Sequence, residues 1–149
     1  MKGFPDIPPI WWAGSVAVIY AAHWALPTLH VSSAALDWAS RACLWIALAG
    51  IAWSALWFWR KRTPIEPHHT PQALIVEGPY KVSRNPIYLA LVLLTLSVAL
   101  GKGSVIGLGV TVALWWVLDR RFARVEEELL RRTFPDTAEE YIARTRRWL

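Results

Sequence analysis

The chain has 149 residues, room for one domain, and 55% of them are hydrophobic, including 11 tryptophans. A soluble domain carries fewer apolar residues and does not gather them into long runs. The net charge of +5 excludes a nucleic-acid binder by its distribution: the cations flank apolar runs instead of striping one polar face, which suits an anionic lipid surface. A single cysteine, Cys43, sits inside an apolar run and excludes an intrachain disulfide or a cysteine-based metal site.

Residues 1–9 form a short Pro-rich lead. No convincing cleavage site follows the first apolar run, which therefore reads as retained. That run, residues 10–27, is 18 residues long and as a helix spans about 27 Å, close to the hydrocarbon thickness of a bilayer. Trp11 and Trp12 at its start suit a membrane interface. His23 and His30 are spaced to share a helix face, either lining a pocket or simply pairing helices. Residues 28–41 read as a polar connection carrying Asp37 and Arg41. Residues 42–59 contain no charge and give the clearest transmembrane helix of the chain. Ala49, Gly50 and Ala52 offer it a small-residue face for close packing.

A polar segment follows at 60–85, in which Pro64, Pro67 and Pro71 oppose a regular helix. His68 and His69 are adjacent and lack the i, i+3 or i, i+4 spacing of helical metal ligands, so no metal is expected. Residues 86–100 and 105–118, joined by Gly101-Lys102-Gly103-Ser104, read as a helical hairpin. Residues 119–132 hold no Gly or Pro, so the second arm should run on beyond the membrane as one long helix to Phe134-Pro135. Residues 136–147 should form a short terminal helix capped by Asp136 or Thr137. The expected fold class is thus all-α: a single polytopic membrane domain, 1–149, with about four spans. Of the 16 lysines and arginines, all except Arg41 and Lys102 fall on one side of this arrangement. The positive-inside rule makes that side, with both termini, cytoplasmic.

The segment Gly78-Pro79-Tyr80-Lys81-Val82-Ser83-Arg84-Asn85-Pro86-Ile87-Tyr88 organises the chain. Turns at Gly78-Pro79 and Asn85-Pro86 bracket it, and Pro86 suits the first position of the following helix. It resembles the Gly-Pro-Tyr-Arg-x-x-Arg-His-Pro-x-Tyr signature of the isoprenylcysteine carboxyl methyltransferase family, which is similar to the phospholipid N-methyltransferases. A second stretch, Glu126-Glu127-x-x-Leu130-x-x-x-Phe134 with Tyr141 and Arg147-Trp148, resembles the ending of the same family, and Thr63-x-Ile65-x-Pro67 resembles its lead-in. The likeness covers roughly residues 63–149. Asn85 stands where the family has His, Pro135 replaces a Gly, and Ala138 replaces a Tyr.

The resemblance implies methyl transfer from S-adenosylmethionine to a lipophilic acceptor drawn from the bilayer, at the cytoplasmic interface. The residues fit that task. Glu126 or Glu127 suits the cofactor's ammonium or ribose, and the rings of Tyr80 and Tyr88 suit adenine or the sulfonium. Arg84 suits the cofactor carboxylate as a fork, Asn85 offers an amide, and Gly78 admits close backbone approach. Pro79 and Pro86 set the two turns that hold these groups. Arg120, Arg124 and Glu127, spaced i, i+4, i+7, should share one helix face. The resemblance implies that an arginine there, Arg120 in first place with Arg121 and Arg124 as alternatives, receives an acceptor carboxylate. An ionised carboxylate needs no strong base, whereas an amine acceptor would need one, and the glutamate pair is then the candidate.

Each group also has an ordinary reading: Glu126-Glu127-Glu128 as a solvated helix face, Lys81 and Arg84 as positive-inside anchors, the tyrosines as interface aromatics. The joint order and spacing of the two motifs favour the site. The first reading of the reaction is carboxyl O-methylation of an isoprenoid-like or other amphipathic molecule. The alternatives are phospholipid or amine N-methylation, a membrane reductase using NADPH, and a non-catalytic membrane scaffold.

Overall fold

The computed structural model describes residues 6–26, 30–61 and 74–149. The lead-in Thr63, Ile65 and Pro67, and the pair His68-His69, lie outside the described residues. Among the described residues the chain is helical: α1 (Pro8–Ala25), α2 (Ala34–Lys61), α3 (Pro86–Gly101), α4 (Val105–Leu118), α5 (Arg124–Thr133) and α6 (Ala138–Arg144). A 3-10 turn, Gly78–Lys81, precedes α3, and a π-helical turn, Asp119–Ala123, joins α4 to α5.

α1 begins earlier than hydropathy suggests because Pro8 and Pro9 occupy its first turn, where a missing N–H costs nothing. α2 is the larger correction. Residues 34–41 are its first two turns, not a connection. The stretch from Ala34 holds good helix formers and no proline, and Ser33 Oγ accepts from the Leu36 N–H at 3.3 Å. Its acidic Asp37 lies in the first turn and Arg60-Lys61 in the last, each favourable to the helix dipole. Arg41 stacks over Trp38, 5.3 Å from the ring centroid.

α2 is the one described helix long and apolar enough to cross a membrane by itself; α3 is a shorter apolar helix. Trp38 and Trp59 on α2 are 70% and 77% exposed. They stand about 31 Å apart along the axis, matching a hydrocarbon core of about 30 Å. α2 packs mainly on α3, with Gly50 facing Ala90. α1 packs across α3 and α4.

At one end of the bundle, Gly103 takes φ +55°, and the Val31 N–H donates to its carbonyl at 2.9 Å. A side chain on Gly103 would collide with the Val31 backbone, so glycine is required there. His23 and His30 do not share a helix face, since α1 ends at Ala25, but the fold of the chain still brings their rings to 4.4 Å. The other end gathers Asp6, Glu77, Arg84 and everything after Leu118. There Arg121 donates to Asp6 (2.7 Å) and Lys61 to Glu77 (3.1 Å).

The long helix expected from 105 to 134 is present but not uniform. At Asp119–Ala123 the ladder widens, and the Arg124 N–H donates to the Asp119 carbonyl five residues back. A π turn of this kind rotates everything beyond it relative to α4. α6 is shorter than expected: Thr137 occupies its N-cap position with no side-chain bond.

Candidate active site

Arg84 sits in the turn before α3, and Glu127 on α5, 43 residues later. They meet because the C-terminal segment folds back over both. The Arg84 N–H donates to the Arg146 carbonyl at 2.9 Å. Its guanidinium donates to the carbonyls of Ile142 (2.6 Å) and Thr145, closing the end of α6. The remaining fork goes to Glu127 Oε1, from Nε at 3.0 Å and Nη2 at 2.7 Å. Arg147 grips the same carboxylate from the other side, Nε to Oε1 and Nη2 to Oε2, both at 2.7 Å. Glu127 is thus a buried carboxylate between two arginines. Burial alone would raise its pKa, but the hydrogen bonds and charges of Arg147 and Arg84 outweigh it and hold the group below the usual value. The bonds from Arg147 to Glu127 push the guanidinium's own pKa up in turn.

Asp119 extends this network. Its carboxylate accepts from Arg124 (2.8 Å), Arg147 (3.2 Å) and the Trp148 indole (3.0 Å). Burial pushes its pKa up, and the bonds from Trp148 and Arg124 with the charge of Arg147 bring it below the ordinary value. Asn85 is buried and donates its amide to the Arg147 carbonyl at 3.1 Å, an acceptor it shares with Ser83 Oγ.

The neighbouring carboxylate has a different environment. Glu126 accepts from the Tyr88 hydroxyl and feels the Tyr80 phenol. Desolvation raises its pKa from 4.5 to about 7, against the opposing hydrogen bond from Tyr88. The Tyr80 carbonyl accepts from the Tyr141 hydroxyl at 3.0 Å. Burial pushes the pKa of the Tyr80 and Tyr141 phenols well above its ordinary value.

The residues picked from the sequence therefore fall into three groups. Tyr80, Tyr88 and Glu126 come together. Arg84, Asn85 and Glu127 come together too, but with their polar atoms turned on the protein: the Arg84 fork holds Glu127, and the Asn85 amide holds the C-terminal backbone. Arg120 and Arg124 do not join Glu127. The π turn breaks their i, i+4, i+7 alignment, so Arg124 bonds Asp119, and Arg120 is more than half exposed, 4.0 Å from Asp119.

Three more of these residues have structural partners. Gly78, at φ +60°, makes room for the Trp57 indole of α2, since a Cβ there would lie 1.9 Å from Nε1. The Tyr80 ring packs edge-on to Phe58 at 5.8 Å, in a cluster with Ile75 and Tyr141. The Tyr88 ring belongs to the Leu91, Leu114, Leu118 and Phe122 core. Neither ring is an open platform, and the hydroxyl is the end of Tyr88 that meets the carboxylate. Pro79 and Pro86 are buried at the starts of their helices. Sequence reasoning gave no role to Asp119, Ser83 or Arg147. Only the pairing of Arg147-Trp148 with the second motif hinted at the last of these.

Among the described residues the protein is a helical bundle with one membrane-length helix and a carboxylate–tyrosine cluster at one end. The family model for phospholipid methyltransferases matches residues 45–137, and the chain belongs to that family. Members are membrane methyltransferases, which makes an enzyme of that class the functional assignment the match supports. The matched stretch runs from within α2 through α5 and stops short of Tyr141, Arg147 and Trp148. No curated protein and no solved structure matches the chain.

Proposed function

We propose that the protein transfers a methyl group from S-adenosylmethionine to the headgroup of a membrane lipid, with Glu126 as the working carboxylate. The observation that carries this reading is the contrast between the two adjacent glutamates. Glu127 is neutralised by Arg84 and Arg147. Among the described residues Glu126 meets the phenols of Tyr88 and Tyr80, and it is tuned to about 7.

When bound, S-adenosylmethionine supplies an electrophilic methyl on a sulfonium centre. The chain's residues fit such a cation: one partly buried carboxylate with phenol hydroxyls beside it. Their task is positioning, exclusion of water and proton transfer. A lipid amine must lose a proton to attack. A carboxylate tuned to about 7 suits a general base near neutral pH, where such groups contribute about 10²–10⁴-fold. With the cofactor bound, Glu126 would take the proton that the lipid ammonium gives up before its nitrogen can accept the methyl.

An amine acceptor is favoured over a carboxylate because Arg84, Arg147 and Arg124 are committed to Glu127 and Asp119. Carboxyl O-methylation is the second reading, and it draws on the exposed Arg120. We further propose four spans, with both termini cytoplasmic, so that Asp6, Arg84 and the α5–α6 end face the compartment holding the cofactor. Reconstituted protein incubated with methyl-labelled cofactor and vesicles decides the chemistry. A base-stable lipid product supports N-methylation, and a base-labile one moves the assignment to the carboxyl reading. Absence of binding to S-adenosylhomocysteine in calorimetry up to millimolar concentration would reject both, leaving a reductase, detected by NADPH binding, or a scaffold.

A further inference from the structure

The pair His23 and His30, at the end of the bundle away from the glutamates, takes no part in the reaction proposed above. Their rings meet edge to face with centroids 4.4 Å apart, an arrangement that aromatic pairs favour. His23 lies in the last turn of α1. His30 lies beyond that helix and forms an isolated antiparallel bridge with Ser104. The next residue repeats the attachment, since the Val31 N–H donates to the Gly103 carbonyl at 2.9 Å. The α3–α4 turn that receives both is well braced. The N–H groups of Lys102, Gly103 and Ser104 donate to the carbonyls of Val98, Leu100 and Ala99, and Ser104 Oγ caps α4 by accepting from the Gly107 N–H at 3.1 Å.

The contact has basic surroundings. Lys102 reaches back from the turn to α1, with its ammonium 4.8 Å over the centroid of the Tyr20 ring. Among the described residues, the groups whose charge acts on His23 are His30 and Lys102, both bases. The other ionisable groups at this end are Tyr20 on α1 and two on α2, Asp37 in the first turn and Arg41, which stacks on Trp38. The His23 Nδ1 atom is buried, with no hydrogen-bond partner among the described residues. A neutral imidazole tolerates that position. A protonated one donates from both ring nitrogens. It would then hold a charged N–H with no acceptor, beside a second imidazole and an ammonium. The closed contact therefore takes up a proton less readily than the separated rings do in water.

We propose that His23 and His30 form an acid-released clasp: it fastens the chain after α1 to the α3–α4 turn while both rings are neutral, and frees it when they are protonated. The open form binds more protons, so the closed form is favoured at high pH and lost as pH falls. Imidazoles take up protons between about pH 8 and about pH 5, which sets the window. Release loosens one end of α1, whose other end carries Trp12 against the cluster of Tyr88, Leu118 and Phe122. The clasp uses no part of the methyl-transfer reading, so either can fail without the other.

The Val31 amide reports the clasp. Its protection factor is measured by hydrogen exchange of the protein in nanodiscs, corrected for the exchange of an unstructured peptide at the same pH. It should fall at least tenfold between about pH 8 and about pH 5, the change that follows when opening raises proton affinity tenfold. The Arg84 amide, bonded to the Arg146 carbonyl at the other end of the bundle, should keep its protection over the same range and reports that each variant is folded. His30→Phe keeps a ring against His23 without a titrating nitrogen, and should leave Val31 protected throughout. His30→Lys carries a charge at every pH in the window, and should leave Val31 unprotected even at the upper end. Lys102→Gln removes one repelling charge, and should move release to lower pH. A wild-type Val31 protection factor that does not change with pH overturns the proposal. So does a fall that persists in His30→Phe, or one that the Arg84 amide shares equally.

Discussion

The two faces of α5 differ in every respect that matters for chemistry, although Glu126 and Glu127 are adjacent in sequence. The Glu127 face is saturated: two guanidiniums, α6 carbonyls and the Asp119 network leave its charge fully matched. The Glu126 face meets the phenols of Tyr88 and Tyr80 and carries a carboxyl whose pKa burial raises to about 7. The difference teaches that a paired-glutamate motif need not be a pair in function. One member fastens the C-terminal segment to the turn before α3, and the other is left responsive.

The strongest way to break this comparison is to remove the matched charge. Glu127→Ala leaves Arg84 and Arg147 facing each other in a buried setting, and Arg84→Ala leaves Glu127 half matched. Loss of one partner of a buried ion pair costs about 3–5 kcal/mol, so both variants should unfold at markedly lower temperature in detergent, with activity lost alongside. Glu126→Gln should do the reverse. Turnover should fall about 10²–10⁴-fold, while the thermal midpoint and the S-adenosylhomocysteine shift stay near wild type. If both substitutions destabilised equally, the assigned division of labour would be wrong.

The opposite pKa directions sharpen the contrast. Glu126 ionises at about 7 in the folded protein against 4.5 ordinarily, so the folded state holds the extra proton in that window. Its contribution to stability declines as pH rises from 4.5 to 7. Glu127 is lowered, so its contribution is complete above its ordinary value and fades as pH falls through the folded one. Thermal midpoints measured against pH for wild type, Glu126→Gln and Glu127→Gln separate the two slopes. In activity, kcat/KM should rise with pH through about 7, following Glu126.

Tyr88→Phe removes the hydrogen bond that lowers the Glu126 pKa, so the same limb should move to higher pH while persisting in shape. The smallest effect belongs to the exposed edge. Arg144, paired with Glu140 on the surface at 2.7 Å, should change stability by under about 0.5 kcal/mol when replaced by alanine, with no effect on either glutamate.

Much of the architecture was legible in the chain itself. Pro86 starts α3, Gly103 turns the hairpin, and uninterrupted apolar runs give α3 and α4 with nearly the expected bounds. These features act locally, through fixed proline φ, glycine freedom and hydropathy, so a one-dimensional reading captures them. The start of α2 was missed because hydropathy marks membrane-like residues, whereas a helix continues through Asp37 and Arg41 as long as caps and propensity allow.

The site was legible as membership but not as roles. Sequence alone determined that Arg84, Tyr88 and the two glutamates belong together at one end of the bundle. It could not say which glutamate is charge-matched, because two tertiary facts decide that. The π turn at Asp119–Ala123 resets the helical phase on which the i, i+4, i+7 alignment of Arg120, Arg124 and Glu127 depended. The return of the C-terminal segment brings Arg147 and the α6 carbonyls to Arg84, and so places a second cation on Glu127 and, among the described residues, none on Glu126. Charge matching is a property of three-dimensional neighbours, and those neighbours lie 20 and 43 residues away from Glu127 along the chain.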